Sequence, residues 1–105
     1  MIYVIAGPTG VGKTKLSISL AKQTNAIVIN ADSMQIYKEL NIGTAKITKE
    51  EMQDIPHYLF DIVSIKDDFN TYMYQQRGRK LLEKYKDKNI VIVGGTGLYI
   101  KTLLY

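Results

Sequence analysis

The sequence contains no cysteine. That excludes a disulfide framework and any thiolate metal site, removes the usual basis for a zinc centre, and fits a reducing cytosol. No apolar run approaches the ~20 residues that a membrane-spanning helix needs. The N-terminus passes straight into an apolar strand candidate, without a basic leader or a cleavage site. A soluble cytoplasmic protein with no membrane partner is therefore expected, with a monomer as the default state. Internal repeats, low-complexity tracts and linkers are also missing, and 105 residues with 46% hydrophobic content suit one compact domain over residues 1–105. Charge is only mildly unbalanced: 14 Lys and Arg against 10 Asp and Glu give +4. Such an excess suits an anionic partner without selecting one. Arg77, Arg79, Lys80, Lys84, Lys86 and Lys88 concentrate it in one segment, read first as a solvated helix face and second as a surface for a nucleic-acid backbone.

What is present is more specific. Gly7-Pro8-Thr9-Gly10-Val11-Gly12-Lys13-Thr14 satisfies the phosphate-loop pattern G-x-x-x-x-G-K-[ST] at every defined position. Ile2 to Ala6 before it reads as a buried strand and Lys15 to Gln23 after it as a helix, the context the motif requires. In such a loop the glycines let backbone N–H groups turn inward, and the helix N-terminus adds attraction for anions. Lys13 is placed to reach a terminal phosphate, and the Thr14 hydroxyl to ligate the Mg²⁺ of a polyphosphate. The competing reading, an ordinary glycine-rich turn, does not call for a Lys-Thr pair at the helix start.

Further along, Ala26 to Asn30 reads as a second buried strand with Ala31, Asp32 and Ser33 just past its carboxyl end, where open parallel sheets place ligands. Met34 to Pro56 lacks a clean period: Gly43 marks a turn, Lys49 to Asp54 suit a short helical turn, and Pro56 stops it. Tyr58 to Val63 is a third strand candidate. Asn70 is a candidate N-cap for a helix whose core face carries Tyr74, Gly78, Leu81, Leu82 and Tyr85 and which ends near Asp87. Ile90 to Val93 forms a fourth strand, followed by Gly94-Gly95-Thr96-Gly97 and a last apolar segment, Leu98 to Tyr105. This alternation predicts an α/β fold, a P-loop NTPase-like parallel sheet with helices on both faces. The uncapped apolar end at Leu103-Leu104-Tyr105 is expected of an amino-terminal piece of a longer enzyme.

Asp32 is the carboxylate nearest the expected crevice and the candidate general base; spacing alone equally permits a turn cap or a water-mediated Mg²⁺ contact. The strand-end Asp that nucleoside-triphosphate hydrolases use for magnesium is lacking, since Ile90 to Val93 ends in glycines and Asp61 lies inside its strand candidate. Gly94 to Gly97 offers free N–H groups for a second anion or base-edge contact, or serves only as a tight turn. His57 has no second metal ligand nearby and is assigned no chemistry. Tyr74 and Tyr85 belong to the core stripe, while Tyr37 in the loop region stays open as a stacking surface.

Taken together, Gly7 to Thr14, Asp32-Ser33-Met34-Gln35-Ile36-Tyr37, Asn41 to Lys46, Pro56-His57-Tyr58 and Val93 to Tyr99 resemble the tRNA dimethylallyltransferase (tRNA isopentenyltransferase) family in the family's own order. The similarity runs along essentially the whole chain and corresponds to the amino-terminal part of the family's catalytic core. It implies transfer of a dimethylallyl group from dimethylallyl pyrophosphate to the exocyclic amine of the adenine 3′ to the tRNA anticodon, with Mg²⁺ assisting and pyrophosphate leaving. The same resemblance implies that residues Gly7, Pro8, Thr9, Gly10, Val11, Gly12, Lys13 and Thr14 hold the donor, with Thr14 on the metal and Asp32 taking the amine proton. Asp32, Ser33, Met34, Gln35 and Thr96 would meet the target nucleotide in the anticodon loop. Ile47 stands where the family often has proline, and Tyr58 where it often has a second histidine. The family's downstream arginine and helical insertion are not in this sequence, so the chain alone is expected to be weakly active or inactive. The alternatives are a nucleotide or metabolite kinase using ATP, and a non-catalytic phosphate-binding module.

Overall fold

A computed structural model describes residues 1–7, 11–38 and 47–105. Pro8, Thr9 and Gly10 of the phosphate loop, the side chain of Val11, and the Asn41 to Lys46 motif with its Gly43 turn lie outside the described residues. The elements run β1 (Ile2–Ala6), α1 (Val11–Thr24), β2 (Ile27–Asn30), α2 (Lys49–Met52), β3 (His57–Tyr58), α3 (Thr71–Lys84), β4 (Ile90–Gly94) and α4 (Gly97–Leu104). All strand pairs are parallel, in the order β1-β4-β2-β3. Ala6 pairs with Gly94 and Asn30 with Val93, so the carboxyl ends of β1, β4 and β2 emerge side by side.

Strand alternation sorts the core into two layers. Ile27, Ile29, Ile90 and Ile92 face α3 and α4 and pack with Tyr74, Tyr99 and Leu103. Val28 and Val91 point the other way and pack with Ala21 of α1 and with Ala26. Burying each such aliphatic side chain contributes about 1.5–3 kcal/mol. Helices thus cover both faces, and β2, enclosed on both, is buried at every residue. β1 is less buried than its apolar run suggests. It pairs only with β4 among the described strands, and Ile2 and Val4, on the α3/α4 face, are 44% and 42% exposed.

Local signals set several boundaries. α1 begins earlier than the Lys15 start suggested by the periodicity and stops at Asn25, whose φ of 55° is left-handed. Thr48 and Glu51 form a reciprocal capping box on α2. The Asn70 side chain accepts from the Met73 N–H at 2.9 Å and starts α3 as its sequence predicts. α3 ends at Lys84, before Asp87: the Tyr85 backbone leaves helical geometry (φ −110°, ψ 27°) and the Lys88 amide closes a turn onto the Tyr85 carbonyl.

The third strand departs from expectation. Only His57 and Tyr58 extend β3, and the chain then turns away through left-handed Leu59 (φ 67°) and Asp61 (φ 53°). Competing hydrogen bonds explain it: Asn30 Nδ2 captures the Leu59 carbonyl at 2.9 Å, and the Asp61 and Ile62 amides donate to the Gln35 and Ile36 carbonyls. Val63 then bridges Tyr37.

Tyr74 ties α3 to the sheet. Its ring is buried and stacked on Tyr99 at 4.0 Å, and its hydroxyl donates to the Asn30 carbonyl at 2.6 Å. Burial pushes its pKa far upward, so it remains a donor across physiological pH. Tyr74→Phe is expected to lower stability by about 1–2 kcal/mol by stranding that carbonyl. Denaturant unfolding should show an earlier midpoint at unchanged slope; an unchanged midpoint would remove this bond from the account.

Candidate active site

Three strand ends are brought within contact of one another by glycine. A Cβ on Gly94 would overlap the Ala31 carbonyl and the Asp32 amide after β2. A Cβ on Gly95 would stand 2.7 Å from the Gly7 carbonyl oxygen and 3.4 Å from Lys13 Nζ. Gly7 itself has φ 136°, a conformation that only glycine adopts readily. The loop after β4 is therefore wedged between the start of the phosphate loop and the Asp32 turn.

Lys13 lies in the first turn of α1 and donates to the Gly7 carbonyl at 2.7 Å. That turn contains no acidic residue, so no side-chain anion offsets the positive end of the helix. Thr14 follows on the same turn, and the Ser17 hydroxyl donates back to its carbonyl at 2.9 Å.

Asp32 is only 6% exposed and is held from several directions. Its N–H donates to Asn30 Oδ1 at 2.8 Å, its carbonyl accepts from Asn30 Nδ2 at 2.9 Å, and its own Oδ1 accepts from the Met34 N–H at 2.9 Å. The Thr96 hydroxyl accepts from the Ser33 N–H at 2.9 Å and donates to the Ser33 hydroxyl at 3.2 Å. Thr96 N–H bonds the Ala31 carbonyl. Ser33 and Thr96 thus lock the Asp32 turn to the β4 loop. Asn30, which the sequence marks only as the last residue of a strand, is the buried clamp of this turn; an Asn closing an otherwise aliphatic strand was the available signal.

A cavity of about 20 Å³ brings Lys13, Thr14, Asp32 and Gln35 together. Gln35 Oε1 accepts from the Ile47 N–H at 3.3 Å beside it. Met34 is 47% exposed and, like Ser33 and Thr96, stands near the turn without lining this cavity. Gly12 sits in α1 with open space around its Cα. The basic segment lies away from the cavity and is engaged locally: Arg79 donates to the Thr102 carbonyl, Arg77 stands over Phe69, and Lys86 pairs with Glu83. The solvated-face reading fits these partners.

The cavity also contains a residue to which sequence reasoning gave no role. His57 pairs in register with Val28, so its ring falls on the α1 face of the sheet, while Tyr58 falls on the opposite face and shares a 2.6 Å hydroxyl contact with Tyr85. His57 Nδ1–H donates to the Ile55 carbonyl at 2.7 Å. Nε2 is buried and has no hydrogen-bond partner among the described residues. Burial pushes the imidazole pKa below its ordinary 6.5, only partly opposed by the Ile55 bond.

Gly95→Ala is expected to weaken phosphate binding at least about tenfold, since about 1.4 kcal/mol of displacement at Gly7 or Lys13 suffices. Gly97→Ala, whose Cβ meets nothing within 4 Å, is the matched control. Equal affinities of the two variants for pyrophosphate by calorimetry would contradict the wedge. For His57, the unfolded chain binds a proton more readily than the folded one. Its contribution to stability is therefore complete above about pH 6.5 and is lost as pH falls from there through the lower folded pKa. A His57→Phe chain should lack this component of the decline in melting temperature, and identical pH profiles would show that the burial has no such effect.

Against known proteins, the IPP transferase family is matched by residues 35–105, more than half of the chain. The tRNA dimethylallyltransferase of Staphylococcus haemolyticus is 52% identical over 106 residues, covering 99% of this chain and 32% of that protein. The solved tRNA isopentenylpyrophosphate transferase of Bacillus halodurans superposes with a TM-score of 0.89 at 44% identity, over 98% of this chain and 35% of that one. A eukaryotic dimethylallyltransferase captured acting on tRNA gives a TM-score of 0.87 at 39% identity, over 97% and 26% respectively. The chain therefore spans about a third of the length of the curated relatives it matches. With the phosphate-loop strand order, the Asp32 turn and these similarities in agreement, the chain belongs to the IPP transferase family and has its P-loop NTPase-like fold.

Proposed function

We propose that this chain forms the donor-binding and base-positioning part of an enzyme that transfers a dimethylallyl group from dimethylallyl pyrophosphate to the exocyclic amine of the adenine 3′ to a tRNA anticodon. The observation that carries the reading is the meeting of Lys13 and Thr14 with Asp32 in one crevice at the ends of β1, β4 and β2. A phosphate grip beside a buried carboxylate suits a reaction in which a pyrophosphate leaves as an amine is deprotonated. Membership of the IPP transferase family favours it over a metabolite kinase or a passive phosphate-binding module.

In this reading the nitrogen–carbon bond forms as the carbon–oxygen bond to pyrophosphate breaks. Lys13 exchanges the Gly7 carbonyl for a phosphate oxygen and neutralises charge on the leaving group. Asp32, aimed by Asn30 and by the Met34 N–H, accepts the amine proton. The adenine must leave its stack to reach the crevice, with Ser33, Met34, Gln35 and Thr96 at its border.

The residues fit magnesium. Among the described residues no cluster of three His, Cys, Asp or Glu side chains could cage a metal, and Mg²⁺ does not require one, because it keeps several waters and takes substrate phosphates as ligands. Thr14 would hold the ion, and when bound the ion supplies charge neutralisation for the leaving pyrophosphate. No helix among the described residues is long and apolar enough to cross a membrane. A cytoplasmic monomer acting on tRNA completes the proposal.

Titration calorimetry of the chain with Mg²⁺ separates the readings. Dimethylallyl pyrophosphate and pyrophosphate should bind in preference to ATP; preference for ATP would favour the kinase. Lys13→Ala should weaken pyrophosphate binding by roughly 1.5–3 kcal/mol, the contribution of a charge-assisted bond. In a chain long enough to turn over, Asp32→Ala should reduce turnover about 10²- to 10⁴-fold with pyrophosphate affinity nearly intact, and equal turnover would remove Asp32 from the mechanism.

A further inference from the structure

We infer that His57 is a ligand-facing residue of this site: its Nε2 accepts a hydrogen bond from a water molecule of the hydrated Mg²⁺ that accompanies the pyrophosphate. The inference rests on the donor reading above and adds to it a residue and a contact.

The tautomer follows from the backbone. A carbonyl oxygen only accepts, so the 2.7 Å contact with Ile55 places the ring proton on Nδ1 and leaves the lone pair on Nε2. Burial disfavours the imidazolium, so near neutral pH the ring presents an acceptor. That acceptor is buried and lacks a partner among the described residues. Leaving such an atom unsatisfied disfavours the folded state by about 1–3 kcal/mol, so a donor arriving with the ligand would remove that cost.

The cavity's own groups narrow the choice of donor. Lys13 is engaged with the Gly7 carbonyl and the Ser17 hydroxyl with the Thr14 carbonyl. Asp32 brings a carboxylate, an acceptor like Nε2. Thr14 and Gln35 can donate as well as accept, so Asp32 and Nε2 are the lining groups that suit a ligand whose outer surface donates. Phosphate oxygens accept and the allylic group does neither. A metal-bound water points both protons outward, and Mg²⁺ retains several such waters. Size agrees: about 20 Å³ accommodates one water, which needs roughly 10–15 Å³. Thr14, the residue suited to the ion, lines the same cavity.

His57 is the sole histidine of the chain, so one ¹⁵N-histidine label reports on it without ambiguity. Imidazole nitrogen spectra would be recorded near pH 7.5 on the chain alone, with MgCl₂, with pyrophosphate, and with both. With both, the Nε2 resonance should move upfield, in the direction of hydrogen-bond acceptance, while Nδ1 keeps its proton, and the change should saturate with calorimetric binding. His57→Phe should lower affinity for Mg²⁺-pyrophosphate about 3- to 10-fold and leave metal-free pyrophosphate binding unchanged; His57→Gln, which keeps an acceptor, should recover part of the loss. Saturated binding with Nε2 unmoved overturns the inference alone, as does an equal shift with pyrophosphate lacking Mg²⁺ or a shift that appears only on adding an adenine nucleoside. Failure of the unaltered chain to bind pyrophosphate overturns both this inference and the donor reading.

Discussion

Everything at this site depends on how closely β4 ends against its two neighbours. β4 runs between β1 and β2, and its final residues have no side chains to hold the neighbouring loops apart. Gly94 therefore lies on the Ala31–Asp32 backbone and Gly95 on the Gly7 carbonyl. A strand ending in any larger residue would separate the phosphate loop from the carboxylate, and the proposed reaction, in which departure of pyrophosphate is coupled to removal of a proton, needs the two together. The aliphatic core beneath, Ile27 to Ile29 against Ile90 to Ile92, fixes the register that makes the three ends coincide.

Polar groups then convert proximity into orientation. Asn30 is completely buried, yet each of its side-chain atoms is used, on the Asp32 amide, the Asp32 carbonyl and the Leu59 carbonyl. Its own carbonyl receives the Tyr74 hydroxyl from α3. One asparagine thus joins the Asp32 turn, the segment leaving β3 and helix α3. A fully satisfied buried network of this kind is rigid, which suits the base proposed for Asp32, since a base must sit within hydrogen-bond reach of its substrate. His57 is the contrast: one ring nitrogen is anchored on the Ile55 carbonyl and the other has no partner among the described residues.

Much of this was legible in the sequence, for reasons specific to the residues concerned. The phosphate loop declares itself because its chemistry needs glycines, a lysine and a hydroxyl at fixed spacing in one continuous segment. Asp32 follows from the rule that ligands gather beyond the carboxyl ends of parallel strands. Asn70 and the Tyr74 stripe are helix signals contained within one or two turns. What escaped was tertiary. The sheet order that inserts β4 between β1 and β2 is not encoded in any one segment, and β1 reads as buried although it borders the sheet. β3 stops after Tyr58 because Asn30 and the Gln35–Ile36 backbone capture the chain that follows, and a contact across that distance leaves no local period. That His57 lines the crevice was not legible because its face depends on a register with Val28 that only the folded sheet reveals.

The central claim is that the crevice between the phosphate loop and the Asp32 turn holds the pyrophosphate of the donor. A crystal structure of the chain with Mg²⁺ and a non-reactive allylic thiodiphosphate tests it most directly. The expected result places the diphosphate on the backbone of residues 7–14, with Lys13 Nζ moved from the Gly7 carbonyl to a phosphate oxygen and the allylic carbon turned toward Asp32. A diphosphate bound elsewhere, with Lys13 still on Gly7, would contradict the account.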